Sequence, residues 1–222
     1  VVSEVSPAVL DASDESFALR NTNFNFYVND AETNGDVYTT ASGNLTNLGY
    51  TAGSPKASLE QVLETYDLEA GDTVYMDTGT YLLTNIVTIL QTDTGNGATP
   101  VTIQGSTNTA AGGVVFSGYG VNVESARGLT LRYITVDFSA TNRGSGVEIS
   151  RSTNVVLEWV SAVGSGNGFV VEDSIATVFR HCMARNAGTN GLFNDTSYGT
   201  TWESGILWSN VYNLSYESGS IT

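Results

Sequence analysis

His181 is the only histidine in the chain, and Arg185 follows it four residues later. An imidazole titrates near neutrality and can take or give a proton. A guanidinium beside it could steady an enolate. Together they could remove the proton next to a uronic acid carboxylate, the chemistry of a polysaccharide lyase. The bland alternative for His181 is a surface ring in a stack. Around it stand Tyr133 and Trp159, whose ring faces could cover a sugar, and Arg180 and Glu158, which could bind its hydroxyls. A second cluster, Asp30, Glu32 and Asp36, offers oxygen ligands in one loop and suits calcium, or else it is a solvated acidic loop. No glycine-rich phosphate loop, nucleophile elbow or zinc motif is present.

These residues fall at fixed offsets in a repeat, so the repeat must position them. Gly120-Val-Asn-Val, Gly146-Val-Glu-Ile, Gly168-Phe-Val-Val and Gly191-Leu-Phe-Asn start alike, with Asn213-Leu-Ser-Tyr in register, at spacings of 26, 22, 23 and 22 residues. Each unit holds three short apolar strands. A lone unit cannot bury its inner face, so units must stack. The pattern predicts an all-β, right-handed parallel β-helix over 26–222, with a cap and loop at 26–72 and coils at 73–222. Residues 1–25 read as an arm or linker. Alignment predicts inward columns of Val121, Val147, Phe169, Leu192 and Leu214; of Leu131, Leu157, Phe179 and Trp202; and of Ile134, Val160, Cys182 and Gly205. Cys182 is thereby a core residue rather than a nucleophile.

Outside, Arg132, Glu158, Arg180 and Glu203 share one position in successive coils, and opposite charges there favour in-register stacking. Tyr133, Trp159, His181 and Ser204 form the next column. Asn167, Asn190 and Asn213 recur at one corner, as an asparagine ladder. Asn44, Asn194 and Asn213 fit the N-glycosylation pattern. One helix is predicted from Ser58, with Gln61 completing a capping box and Leu59, Val62, Leu63 and Tyr66 on one face, up to Gly71.

Twenty-three acids against 8 bases give a net charge of −15. Such a surface disfavours nucleic acid, whose binding needs clustered Lys and Arg, and it disfavours anionic membranes. The single cysteine leaves no internal disulfide. No apolar run approaches the ~18 residues of a membrane span. The start of the sequence lacks the features of a signal peptide. An acidic, lysine-poor surface leans toward an extracellular or cell-surface setting.

Tyr27-Val-Asn-Asp30, Ser54-Pro-Lys-Ala-Ser58-Leu, Ala70-Gly-Asp-Thr-Val-Tyr75 and Thr78-Gly-Thr-Tyr81 resemble the opening of secreted bacterial β-helix proteins of the pectin-lyase-like superfamily. The resemblance implies a strand and helix that cap the solenoid. That group spans lyases, hydrolases, epimerases, tail spikes and adhesins, so it implies no single activity. The turns between coils are short, which predicts no substrate cleft, and the last coil carries no closing helix. The reading that follows is a noncatalytic structural, adhesive or self-assembling module, whose partners are other subunits at the open edge or a polysaccharide. A lyase or hydrolase is the alternative.

Overall fold

The computed structural model describes residues 23–141, 144–217 and 219–222; the N-terminal arm therefore lies almost wholly outside the described residues. Strand β1 (Asn25–Val28) buries Phe26 and Val28. After a long loop comes helix α1 (Leu59–Thr65), with Ser58 as N-cap. The coils follow: β2 (Thr73–Met76), β3 (Gly79–Leu83) and β4 (Val87–Ile89); then β5 (Val101–Gly105), β6 (Val114–Gly118) and β7 (Val121–Glu124); then β8 (Leu129–Arg132), β9 (Ile134–Asp137) and β10 (Ser145–Ser150). The next are β11 (Thr153–Glu158), β12 (Ser161–Val163) and β13 (Asn167–Glu172); β14 (Ile175–Arg180), β15 (Met183–Arg185) and β16 (Asn190–Asp195); and β17 (Ser197–Glu203), β18 (Ile206–Trp208) and β19 (Tyr212–Tyr216), before β20 (Gly219–Ile221).

Every third strand pairs in parallel. The first sheet runs β1-β2-β5-β8-β11-β14-β17-β20, the second β3-β6-β9-β12-β15-β18, and the third β4-β7-β10-β13-β16-β19. This is a parallel β-helix, capped at one end by α1. The expected columns are in register: Val121, Val147, Phe169, Leu192 and Leu214 pair in succession, as do Leu131, Leu157, Phe179 and Trp202. Apart from Leu214, which is exposed, they fill or pack against one continuous apolar core.

The helix is shorter than its apolar face suggests. It ends at Thr65, and Tyr66 turns extended with its N–H still bonded to the Val62 carbonyl. The ring then packs on Phe26, 4.8 Å between centroids, and the hydroxyl donates to the Leu48 carbonyl at 2.8 Å. Tertiary packing outweighs the local helical pattern up to Gly71.

Two buried polar groups hold the architecture. Asp77, fully buried, accepts from the N–H groups of Val37, Tyr38, Thr39 and Thr78 and from the Thr39 hydroxyl. It thereby ties the long loop to the first coil. At the corner between third and first sheets stands a column of serines. Ser152 Oγ accepts from Ala126 N–H, Ser174 Oγ from Ser152 N–H and Ser197 Oγ from Ser174 N–H, at 3.0, 3.0 and 2.9 Å. Each hydroxyl also donates to the carbonyl two residues before it. Removing one strands a buried N–H, at a cost of ~1–3 kcal/mol. Ser174→Ala is therefore expected to lower unfolding free energy by about that amount in denaturant melts; an unchanged midpoint would show that the column is dispensable.

Candidate functional site

The backbone at the corner between first and second sheets is left-handed in four successive coils: φ is +57° at Tyr133, +56° at Trp159, +53° at His181 and +56° at Ser204. L-residues reach this region at a cost of ~1–2 kcal/mol. The coils compensate, because each corner N–H donates to the next coil: Tyr133 to the Glu158 carbonyl, Trp159 to Arg180 and His181 to Glu203, at 3.1, 2.9 and 2.9 Å. Side chains at such corners project outward and stack at the coil spacing. Tyr133 and Trp159 lie 6.3 Å apart and 6° from parallel; Trp159 and His181 lie 4.3 Å apart and 4° from parallel. Trp159 remains 47% exposed.

The ring stack is one wall of a groove of about 640 Å³ on the outer face of the second sheet. Its floor is Thr135, Ser161, Met183 and Ile206, one residue from each of four paired strands. Ser106, Thr107, Thr109, Gly112 and Gly113, from the connection between β5 and β6, close one end. The sequence reading expected no cleft. The wall comes instead from rings on tight corners and from this single longer connection, neither of which registers as a large loop.

Tyr133, Trp159 and His181 all line the groove. Arg185 does not: it ends β15, in register with Val163 and Trp208. Its place is at the far end of that strand from His181, which sits at the left-handed corner before it. Arg180 and Glu158 stand round the corner on the first sheet. There the charge column is in register, Arg132 with Glu158, Glu158 with Arg180 and Arg180 with Glu203. Arg180 Nε donates to Glu203 Oε2 at 2.9 Å. This pair is solvent-exposed and contributes ~0–1 kcal/mol; it faces away from the groove.

Cys182 sits behind His181, 1% exposed. Its thiol donates to the carbonyls of Leu157 and Arg180, and burial pushes its pKa up to about 12. That is the state of a core residue, since the thiolate is the reactive form.

Asp30, Glu32 and Asp36 do not converge. Among the described residues no group of three His, Cys, Asp or Glu side chains is placed to hold a metal ion. Asp30 accepts from the backbone N–H groups of Glu32 and Thr80, and Asp36 from the Asn29 amide and the Thr39 hydroxyl. Burial holds the Asp36 carboxyl above its ordinary range, with the Asn29 bond opposing. The carboxylates of Asp30 and Asp36 organise the loop itself. Asn194 is fully buried and accepts from the Thr200 hydroxyl, so the folded chain offers no glycan acceptor there.

Acidic groups gather on the third sheet instead, where Glu172 and Asp195 are in register. Burial, and then the neighbouring Glu148, Asp195 and Asp173, raise the Glu172 carboxyl above its usual range. Among the described residues, no helix is long and apolar enough to cross a membrane.

No family model matches the chain, and no curated protein matches it in sequence. A solved structure of a rhamnogalacturonan lyase superposes with a TM-score of 0.58 over 90% of this chain at 14% identity. The chain spans 63% of the length of that lyase. At this identity the likeness concerns the backbone alone: the protein shares a parallel β-helix fold with that lyase.

Proposed function

We propose that the protein is a noncatalytic, adhesive β-helix module of the cell exterior that binds a neutral polysaccharide in the groove of the second sheet. The observation that carries this reading is the stack of three parallel rings. Twelve residues other than glycine have left-handed φ among the described residues, and Tyr133, Trp159 and His181 are the ones bearing rings. Glycine or asparagine suits such corners best. The left-handed corner recurs throughout the solenoid, but at these three successive positions it projects rings that lie parallel. A flat π face covers the apolar face of a pyranose, and serine and threonine hydroxyls on floor and end wall can meet its hydroxyls.

No Asp, Glu, Lys or Arg lines the groove. Both a glycosidase and a lyase need groups that move protons and stabilise charge at the scissile bond. The nearest charges on this sheet, Asp137 and Arg185, lie two residues beyond the floor residues Thr135 and Met183 on the same outward face and do not line the groove. The lining favours uncharged sugars, and the chain's net charge of −15 repels polyanions. Affinity electrophoresis in gels containing neutral polysaccharides tests this. The wild type is expected to be retarded, and Trp159→Ala to lose at least tenfold in affinity, ~1.4 kcal/mol, with its melting temperature retained. Shortening of the polymer, or unsaturated products from a uronate polymer, would contradict it.

A second reading concerns the edge at the last described coil. Leu214 is 49% exposed, whereas Leu192, its neighbour in the same column, is fully buried; Trp208 and Tyr212 are 61% and 65% exposed. Exposed strand edges with apolar side chains recruit further strands. We propose that other protein subunits can stack here. Light scattering across a concentration series is expected to show mass rising toward oligomers, and a constant monomer mass would refute it.

A further inference from the structure

We propose that the groove is blind at its β6 end and seats the end of a glycan chain rather than an internal stretch. This rests on the neutral-glycan reading above and adds a direction to it. The floor runs along the solenoid from β18 through β15 and β12 to β9.

The closure at β6 decides the mode. The outward face of the second sheet continues past Thr135 to Val115 on β6 and Thr80 on β3, yet neither lines the groove. The Ser106–Gly113 connection intervenes. It is fixed rather than poised to move. Thr78 Oγ1 donates to Ser106 Oγ at 2.7 Å, Asn108 Nδ2 to the Gly35 carbonyl at 2.8 Å and Gly79 N–H to the Gly113 carbonyl at 3.0 Å. Ser106 is fully buried. These bonds pin the connection to the loop and strand that begin the solenoid, so a sugar chain lying along the ring stack meets a rigid stop. Thr107 and Thr109, both exposed, line this closed end, where a terminal sugar would carry an extra free hydroxyl that an internal one lacks.

The probes are neutral oligosaccharides of about two to eight units from cellulose, xylan, mannan and dextran, with the wild-type protein. Affinity should rise with length over the shortest chains and then level off. For the oligosaccharide that binds best, a bulky tag on one terminus should weaken binding at least tenfold, while the same tag on the other terminus should not. One protein should bind per polysaccharide chain whatever its length. If both tagged forms bind as the untagged one does, and bound copies rise with polymer length, the blind-end inference is overturned while the glycan reading stands. If no neutral oligosaccharide binds, the glycan reading fails and this inference falls with it.

Discussion

Coils can stack in register only if the chain turns sharply at the same places each time, and the left-handed corner residues do this. Their φ values, near +50° from Ser125 to Ser209, would be unfavourable in an isolated peptide. They persist because the corner N–H groups find carbonyls on the next coil. Each coil therefore validates the geometry of its neighbour, a nearest-neighbour cooperativity typical of solenoids. Inside one corner the requirement selects serine, whose hydroxyl bridges successive backbones. Outside another it leaves the side chain free to project, and there the chain carries rings.

The same constraint sorts chemistry by face. Strand alternation sends one residue in and the next out, and each corner changes which sheet receives the outward set. Glu158 and Trp159 are sequence neighbours, yet one joins the charge column of the first sheet and the other the groove wall of the second. Acids collect on the third sheet. The charge column and the acidic cluster thus stand on the first and third sheets, while on the second sheet Asp137 and Arg185 flank the floor without lining the groove.

The repeat made the columns legible, because an apolar residue at a constant offset has one reason to recur. Leu131, Leu157, Phe179 and Trp202 are such a set. The asparagine column was legible only in part: Asn190 donates to Asn167, whereas Asn213 accepts from Asn210. Polar linchpins were not legible. Asp77 looks like any turn aspartate until the loop from Val37 to Thr39 folds over it. The serine column shares its spacing with the rest of the repeat, and serine is common throughout the chain, so nothing set it apart. Tyr133, Trp159 and His181 could be aligned from sequence, but not the corner that separates them from Arg180, nor the connection that ends the groove. Arg185 follows His181 in the sequence, but the groove takes in His181 and Met183 and not Arg185.

The central claim is that the exposed ring stack receives a sugar. Trp159, Trp202 and Trp208 are the three tryptophans, at the groove wall, in the core column and on the exposed face of β18 respectively. Their indole N–H signals in a two-dimensional NMR spectrum report on these places separately. On titration with a neutral oligosaccharide, the account predicts a saturable shift of the Trp159 signal with Trp202 unmoved. A titration that leaves Trp159 in place, or moves only Trp208, would contradict it.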